Sequence, residues 1–370
     1  MSKKINVGII GCGNISEAYL TAAKNFPIMQ ITACADINLE AAKIKAEAHN
    51  IEAMSVEELL QTEDIEIILN LTTPQAHAEI NLMALNAGKH VHCEKPFAVI
   101  RDDGKKVLEL AKEKGLLVGC APDTFFGGGI QTCRKIIDDG EIGKPVAGTA
   151  FMMNHGVESW HPNPGFYYLK GGGPLLDMGP YYITALVNLL GPVKRVCALS
   201  AITFKERIAT SKEHSGKILP VETPTHIAGT LEFQNGAVIT MVMSFDVWNH
   251  SNHNIEIHGT EGSMQVPDPN DFGGETKIFK PGIDGWKPVL LSHGYTDNMR
   301  SIGVADMAYA IKYNRKNRCS GELAYHVLDV MLSLIDSAEE KKFIDIESTV
   351  EQPAALPTGL KNGELDTVPL

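Results

Sequence analysis

The most restrictive feature of this chain lies within its first sixteen residues, where the apolar run Ile5-Asn6-Val7-Gly8-Ile9-Ile10 breaks directly into Gly11-Cys12-Gly13-Asn14-Ile15-Ser16. A run that is apolar on both alternating faces reads as a strand buried between two layers. The glycines at its end permit a tight turn, and the segment behind them, through Lys24, reads as a helix. Strand, glycine turn and helix in this order point to a parallel sheet, because the helix must carry the chain back before the next strand can pair.

The pattern then repeats. Residues 31–35 are the next expected strand, ending at Asp36, and residues 39–49, rich in Ala, Lys and Glu, favour helix. A third apolar strand is expected at 65–71, reached through a helix-like 56–61. Residues 74–87 predict a helix stopped by Gly88, followed by a strand at 90–93, a helix at 102–114 and a strand at 116–120. The expectation is an α/β, doubly wound parallel sheet covered on both faces. After Pro122 the texture changes. A helix at 130–138 gives way to longer alternating runs at 146–153, 193–204, 226–233 and 237–245, the last two joined by the hairpin signal Asn235-Gly236. These predict a second α/β domain with an open, mostly antiparallel sheet. A late helix is expected at 324–337, and from Phe343 the prolines and weak periodicity suggest an extended arm or a frayed end. The expected organisation is a dinucleotide-binding domain at 1–122, a substrate-binding and oligomerisation domain at 123–342, and an arm at 343–370.

The bulk numbers narrow the function classes. A length of 370 residues suits two domains. A formal net charge of -12 argues against a general nucleic-acid binder and against adhesion to anionic membranes. No apolar run approaches the roughly 18 residues needed to cross a bilayer. Ser2-Lys3-Lys4 imitates the start of a signal peptide, but the run behind it is interrupted by glycines and Asn6 and reads better as a first strand. Seven scattered cysteines without a C-x-x-C spacing read as thiols in a reducing compartment, from which a cytoplasmic location is expected.

Two groups of residues carry chemistry. Gly11-x-Gly13-x-x-Ser16 is the dinucleotide fingerprint with serine in place of its last glycine. The first glycine permits the turn, the second lets a pyrophosphate approach the backbone, and the third position needs only to be small. The pyrophosphate would meet the free N–H groups at the helix start, where Asn14 and Ile15 stand. Asp36, at the end of the next expected strand, would accept the adenosine ribose hydroxyls and repel a 2′-phosphate, so NAD is favoured over NADP. A plain strand-to-helix turn and a solvated turn aspartate are the bland accounts, and their joint context weakens both. Thr72, Thr73 and Pro74 end a strand close to where the cofactor would lie, as do Glu94 and Lys95. His77 either contacts the cofactor or makes a local hydrogen bond in a first helical turn.

The second group joins Glu94-Lys95-Pro96 to Gly171-Gly172-Gly173-Pro174-Leu175-Leu176-Asp177-Met178-Gly179-Pro180-Tyr181. Asp177 and Tyr181 are four apart and share one helix face. Removing hydride from an alcohol requires a base for its proton, and lysine or tyrosine can serve if its surroundings adjust its pKa. Lys95, Asp177 and Tyr181 form such a set, against the plainer readings of a helix-start carboxylate and a core tyrosine. Substrate-lining candidates are Asn154 and His155, at the end of the 146–153 strand, and Trp160 with His161, unless that loop is only a proline-stiffened one. Asp123 at the domain junction is either a further pocket residue or a hinge cap. His250, His253 and His258 lack a zinc-site pattern and read as a hydrophilic edge strand, so no metal is expected.

These motifs, in this order and spacing, resemble the Gfo/Idh/MocA family, the relatives of glucose-fructose oxidoreductase and inositol dehydrogenase. The resemblance runs from the glycine turn to at least Ile255-Glu256-Ile257-His258-Gly259-Thr260-Glu261-Gly262. It implies a Rossmann domain followed by an α/β domain whose open sheet makes a dimer or tetramer interface, a tightly held nicotinamide cofactor and a sugar-like substrate. Lys95 matches the family's catalytic lysine of E-K-P, and Asp177 the aspartate after the glycine run. One departure is informative. Many family dehydrogenases have D-x-x-x-H, whereas here the last position is Tyr181, as in glucose-fructose oxidoreductase, and Thr184 stands where a later aspartate is common. The departure weakens inositol dehydrogenation and favours oxidation or reduction of a pyranose, glycoside or other sugar derivative. Two other classes remain beside it: a glycoside hydrolase that oxidises its sugar transiently, and a non-catalytic NAD or sugar sensor.

Overall fold

The computed structural model describes residues 4–367. Its first unit runs β1 (Ile5–Ile10), α1 (Asn14–Ala23), β2 (Met29–Ala35), α2 (Leu39–His49), β3 (Glu52–Met54), α3 (Val56–Gln61), β4 (Ile67–Asn70), α4 (His77–Asn86), β5 (His90–Cys93), α5 (Arg101–Lys114) and β6 (Val118–Cys120). All six strands pair in parallel in the order β3-β2-β1-β4-β5-β6. Strand order reverses between β1 and β4, so their carboxyl ends, Gly11 and Leu71, open the crevice where such sheets bind ligands. The strand at Glu52–Met54 is short and largely exposed, and its sequence carries no apolar alternation to predict it.

The chain leaves this sheet and builds the second unit from α6 (Gly128–Asp138), β7 (Pro145–Met153), α7 (Gly173–Leu190), β8 (Val193–Ala201), β9 (Glu206–Ile208), β10 (Ile218–Pro220), β11 (His226–Phe233), β12 (Val238–Ser244), β13 (Ile255–Gly259), β14 (Ser263–Val266), β15 (Thr276–Phe279) and β16 (Lys287–Val289). Then follow α8 (Ile302–Tyr313), α9 (Gly321–Glu340) and β17 (Ile344–Asp345). The large sheet has nine strands in the order β16-β15-β14-β13-β7-β12-β11-β8-β17, and only β7 and β12 are parallel. Helices α6, α7 and α9 cover one of its faces. That face carries Ile227, Leu231, Ile239, Met241, Ile255 and Ile257, all nearly solvent-free. The alternate residues, Cys197, Leu199, Thr230 and Thr240 among them, lie on the open face.

Helix α8 returns to the first unit, packing on β5, β6 and α1. It escapes prediction because it is apolar nearly all round: every residue from Ile302 to Ala310, including Asp306, is buried, so no amphipathic stripe marks it. The stretch after Phe343 is an extended arm that docks. It adds β17 beside β8, buries Leu356 and Leu365, and ends where Asp366 meets Arg315 and Arg318.

Candidate active site

At the crevice the backbone makes the cofactor end. Gly11 has φ +104°, and an added Cβ would lie 2.6 Å from the Leu71 carbonyl, so the turn admits only glycine. Gly13 is the N-cap of α1, no side chain caps that helix, and a Cβ on Gly13 would point into open space. The start of α1, with Asn14 and Ile15 behind Gly13, therefore presents uncapped backbone N–H groups to that space. Ser16 explains its own departure from glycine: it is fully buried and its hydroxyl donates back to the Gly13 carbonyl at 2.7 Å. Asp36 accepts from the Cys12 N–H at 2.7 Å and the Asn38 N–H at 2.8 Å, which fixes its carboxylate at the mouth of the turn. An uncapped helix start, a bare glycine and a fixed carboxylate fit an NAD pyrophosphate and ribose.

The flanking candidates divide. Thr72 is half-buried with its hydroxyl on Asn70 Oδ1 at 2.7 Å, and Thr73 is exposed ahead of Pro74. His77 is buried, with Nδ1 2.7 Å from the Pro96 carbonyl and Nε2 3.1 Å from that of Thr72. It thus ties the cofactor-side loop to the segment after Lys95, and burial lowers its pKa. Glu94 is a brace: one oxygen accepts from the Tyr19 hydroxyl at 2.7 Å and the other from the Lys95 N–H at 2.9 Å.

Lys95, just past β5, reaches α7. Its Nζ donates to Asp177 Oδ1 at 2.8 Å and to the Asp177 carbonyl at 2.9 Å, and stands 5.4 Å from the Tyr181 ring centre. Gly173, at φ +88° and close under the Pro224 carbonyl, starts α7 where a side chain would not fit. Burial alone would lower the Lys95 pKa, but Asp177, Tyr181 and Glu94 together raise it above its ordinary value, so the amine is firmly an ammonium. Burial raises the Tyr181 pKa, while Lys95 and Arg300 pull it back down. Tyr167, beside the same group, is pushed up to about 12 by burial and by Asp177.

His161 packs edge-on to Tyr167, with ring centres 4.9 Å apart, and to Trp160 at 5.4 Å. Its Nδ1 accepts from the Asn163 N–H at 3.0 Å, leaving Nε2 to carry the proton of the neutral ring. Trp160 is 65% exposed. Asn154 and His155 lie at the end of β7 instead: the Asn154 carbonyl oxygen of the side chain takes the Gly156 N–H at 2.8 Å, and His155 stacks on Trp248 at 3.3 Å. Asp123 is turned inward. It is 1% exposed, and its Oδ2 accepts the N–H groups of Ser301 and Gly303 at the start of α8, so its carboxylate is a helix cap and not a pocket surface. Sequence reasoning missed Tyr167, Tyr19 and Arg300, none of which lies in a recognisable motif. His258 pairs through Nδ1 with the Ser263 hydroxyl at 2.9 Å. Among the described residues no group of three His, Cys, Asp or Glu could hold a metal ion, and no helix is long and apolar enough to cross a membrane.

Two family models match this chain: an oxidoreductase-family, NAD-binding Rossmann fold over residues 5–121, and the GFO/IDH/MocA C-terminal domain over residues 130–265. A levoglucosan dehydrogenase of Pseudarthrobacter phenanthrenivorans is 25% identical over 93% of this chain and 98% of its own. A D-glucoside 3-dehydrogenase of Escherichia coli is 27% identical over 66% of this chain and 71% of its own. In fold, a levoglucosan dehydrogenase solved with NADH and L-sorbose superposes with a TM-score of 0.81 at 23% identity, over 94% of this chain and all of the other. With both units matched in order around the Lys95 cluster, the chain belongs to the Gfo/Idh/MocA family and is an NAD-dependent oxidoreductase.

Proposed function

We propose that this protein moves hydride between NAD and a secondary hydroxyl, or the matching ketone, of a pyranose-type sugar or glycoside, with Tyr181 handling the proton. The observation that carries this reading is the Lys95–Asp177–Tyr181 cluster, with Tyr167 beside it and His161 edge-on to Tyr167. Bound NAD supplies the hydride acceptor. Tyr181 takes the hydroxyl proton during oxidation and returns it during reduction. Lys95, held as an ammonium, stabilises the oxygen as charge develops on it, and Asp177 holds Lys95 in place. The His161 Nε2–H and the Trp160 ring offer a donor and an apolar face to a sugar. The named relatives, which act on levoglucosan and D-glucosides, support this substrate class. A non-catalytic sensor would have no use for a buried ammonium set against a phenol. The open sheet face, with Leu199 72% exposed, suits a second copy of the chain.

The test follows absorbance at the NADH band with NAD and a panel of levoglucosan, D-glucosides, free pyranoses and inositols, using Lys95→Ala as control. A Lys95-dependent rise with a pyranose or glycoside is expected. A rise with inositols alone would overturn the substrate class. Glycoside cleavage without net NADH would favour a transient-oxidation hydrolase.

A further inference from the structure

Between β7 and α7 the chain leaves the large sheet as a loop whose neck is closed by buried charge. Arg207, on β9, is 5% exposed. Its Nη1 donates to Glu158 Oε1 at 2.8 Å and to the His155 carbonyl at 3.2 Å. Its Nη2 donates to the Phe245 carbonyl at 2.8 Å and to Asp246 Oδ1. The other Glu158 oxygen accepts from the hydroxyl of Tyr168, ten residues further along the same loop. Thr203 and Thr225 donate to the other Asp246 oxygen. Glu158 and Tyr168 are buried, and the Asp246 side chain is 8% exposed. The Glu158 carbonyl also takes the N–H groups of Thr210 at 3.0 Å and Ser211 at 2.9 Å, which ties the neck to the chain leaving β9. Gly156, at φ +92°, turns directly beneath: a Cβ there would collide with Glu158 Oε2 and the Tyr168 hydroxyl.

Beyond the neck the loop is open and aromatic, and it comes to rest on the helix of the chemical end. Phe166 is 45% exposed, and His161 lies edge-on to it with ring centres 5.7 Å apart. The 3₁₀ turn Gly165–Tyr168 packs against Gly172, the N-cap of α7. An added Cβ on Gly172 would lie 2.6 Å from the Tyr167 carbonyl oxygen and 2.7 Å from that of Phe166. The Gly172 N–H donates to the Leu169 carbonyl at 2.9 Å. Asp177 and Tyr181 follow on the same helix, and Tyr167 stands beside the Lys95–Asp177 pair. The neck thus fixes the loop at its base, and the start of α7 receives it.

Stability alone does not call for such a neck. Two carboxylates and a guanidinium taken out of water lose hydration that their attraction only partly offsets, and packed apolar side chains would hold as well. What a planar guanidinium between two carboxylates adds is fixed geometry. β9 and β10 form a two-stranded ribbon with Arg207 opposite Leu219, too small to be rigid by itself. Glu158, from the loop, and Asp246, just past β12, anchor the ribbon from two directions. We propose that the Glu158–Arg207–Asp246 cluster is a clamp that sets the loop from Trp160 to Tyr167 beside the sugar site. Arg207 and Glu158 are then positioning residues for substrate binding and not for hydride transfer. The proposal rests on the reading that the sugar binds at Lys95 and Tyr181.

The test is steady-state kinetics of Glu158→Gln by NADH absorbance, with levoglucosan and methyl D-glucosides as the sugars. Glutamine keeps the size of the side chain and an acceptor for Tyr168, leaves Arg207 paired with Asp246, and removes only the charged bond across the neck. KM for the sugar should rise about tenfold, the loss of one charge-assisted hydrogen bond, while kcat and NAD affinity by fluorescence titration stay within about twofold. Arg207→Met should raise KM further, and Arg207→Lys, which still reaches one carboxylate, should fall between. Where Arg207→Met does not fold, Glu158→Gln and Tyr168→Phe decide. Amide exchange over residues 159–168 should quicken in Glu158→Gln and stay as in wild type along α7. An unchanged KM in Glu158→Gln and Tyr168→Phe, or a rise in KM matched by equal losses of kcat and NAD affinity, overturns the proposal. A wild type inert towards both sugars, or a Lys95→Ala variant as active as wild type, defeats the active-site reading instead. Unchanged exchange over 159–168 would then overturn the clamp as well.

Discussion

The two ends of the crevice are built in different ways. At the cofactor end, Gly11, Gly13 and Ser16 fall within six residues, and Asp36 sits on the adjacent strand end with its carboxylate on the Cys12 N–H. The recognition groups there are mostly backbone, and a short stretch of chain sets them. At the chemical end, Lys95 follows a strand of the first unit while Asp177 and Tyr181 lie on a helix of the second, and they meet only after both units have folded. A locally coded site should lose its function in graded steps when altered. A site assembled from afar should show coupled losses, because each charged group sets the protonation of the next.

Four variants sharpen that contrast, in order of decreasing effect. Lys95→Ala should lower kcat by about 10²–10³-fold, the range for losing a group that stabilises developing charge, while NAD affinity by fluorescence titration stays within a few-fold. A parallel collapse of NAD binding would mean that the two ends are not separable. Asp123→Asn probes the scaffold beneath the chemical end. Burial pushes the Asp123 carboxyl up to about 6, above its unfolded value of 3.8. The folded state therefore keeps this proton at pH values where the unfolded chain releases it, and stability falls as pH rises through that window. The asparagine variant removes that slope and keeps one acceptor for α8. Denaturant titrations at pH 4 and pH 7 should differ by about 1–3 kcal/mol less in the variant than in wild type.

Asp36→Ala should weaken NAD binding by about tenfold, the loss of a charge-assisted hydrogen-bond pair, and reduce the preference over NADP. An unchanged NAD to NADP ratio would show that Asp36 does not reach the ribose. The smallest effect is expected from Ser301→Gly. Glycine relieves the φ 124° backbone but gives up the hydroxyl bond to Tyr19, two opposed terms of about 1 kcal/mol each. Thermal unfolding should shift by only a few degrees at most. A drop in kcat larger than the change in stability would show that the strained backbone serves the chemical end through Tyr19 and Glu94.

This contrast also explains what was legible in the sequence. The parallel sheet could be read because its strands are short apolar runs between glycine stops and helix caps, as at Ile67–Asn70 and at Gly88. The second sheet could be read from alternation around Asn235-Gly236. The glycine turn, Asp36, Lys95, Asp177 and Tyr181 stand out because each occupies a fixed place in a local pattern. Arg300 does not, because it directly precedes α8, a helix whose first nine residues are all buried and so carry no periodic signal. Asp123 was ambiguous for a related reason. A carboxylate at a domain junction can face a pocket or a helix start, and only the return of α8 to β5 and β6 decides between them.

The docked arm has a consequence for how this molecule keeps its two units in register. Asp366 binds both Arg315 and Arg318, and the same two arginines clasp Asp306, which is wholly buried in α8. Tyr295 reaches the Glu364 carbonyl at 2.6 Å, five residues ahead of Arg300. The far end of the chain therefore acts as a latch on the helix that packs back onto β5, β6 and α1. A break between residues 346 and 366 would leave the strands of both sheets, β17 included, ahead of the cut and release the end that clasps α8 through Arg315 and Arg318.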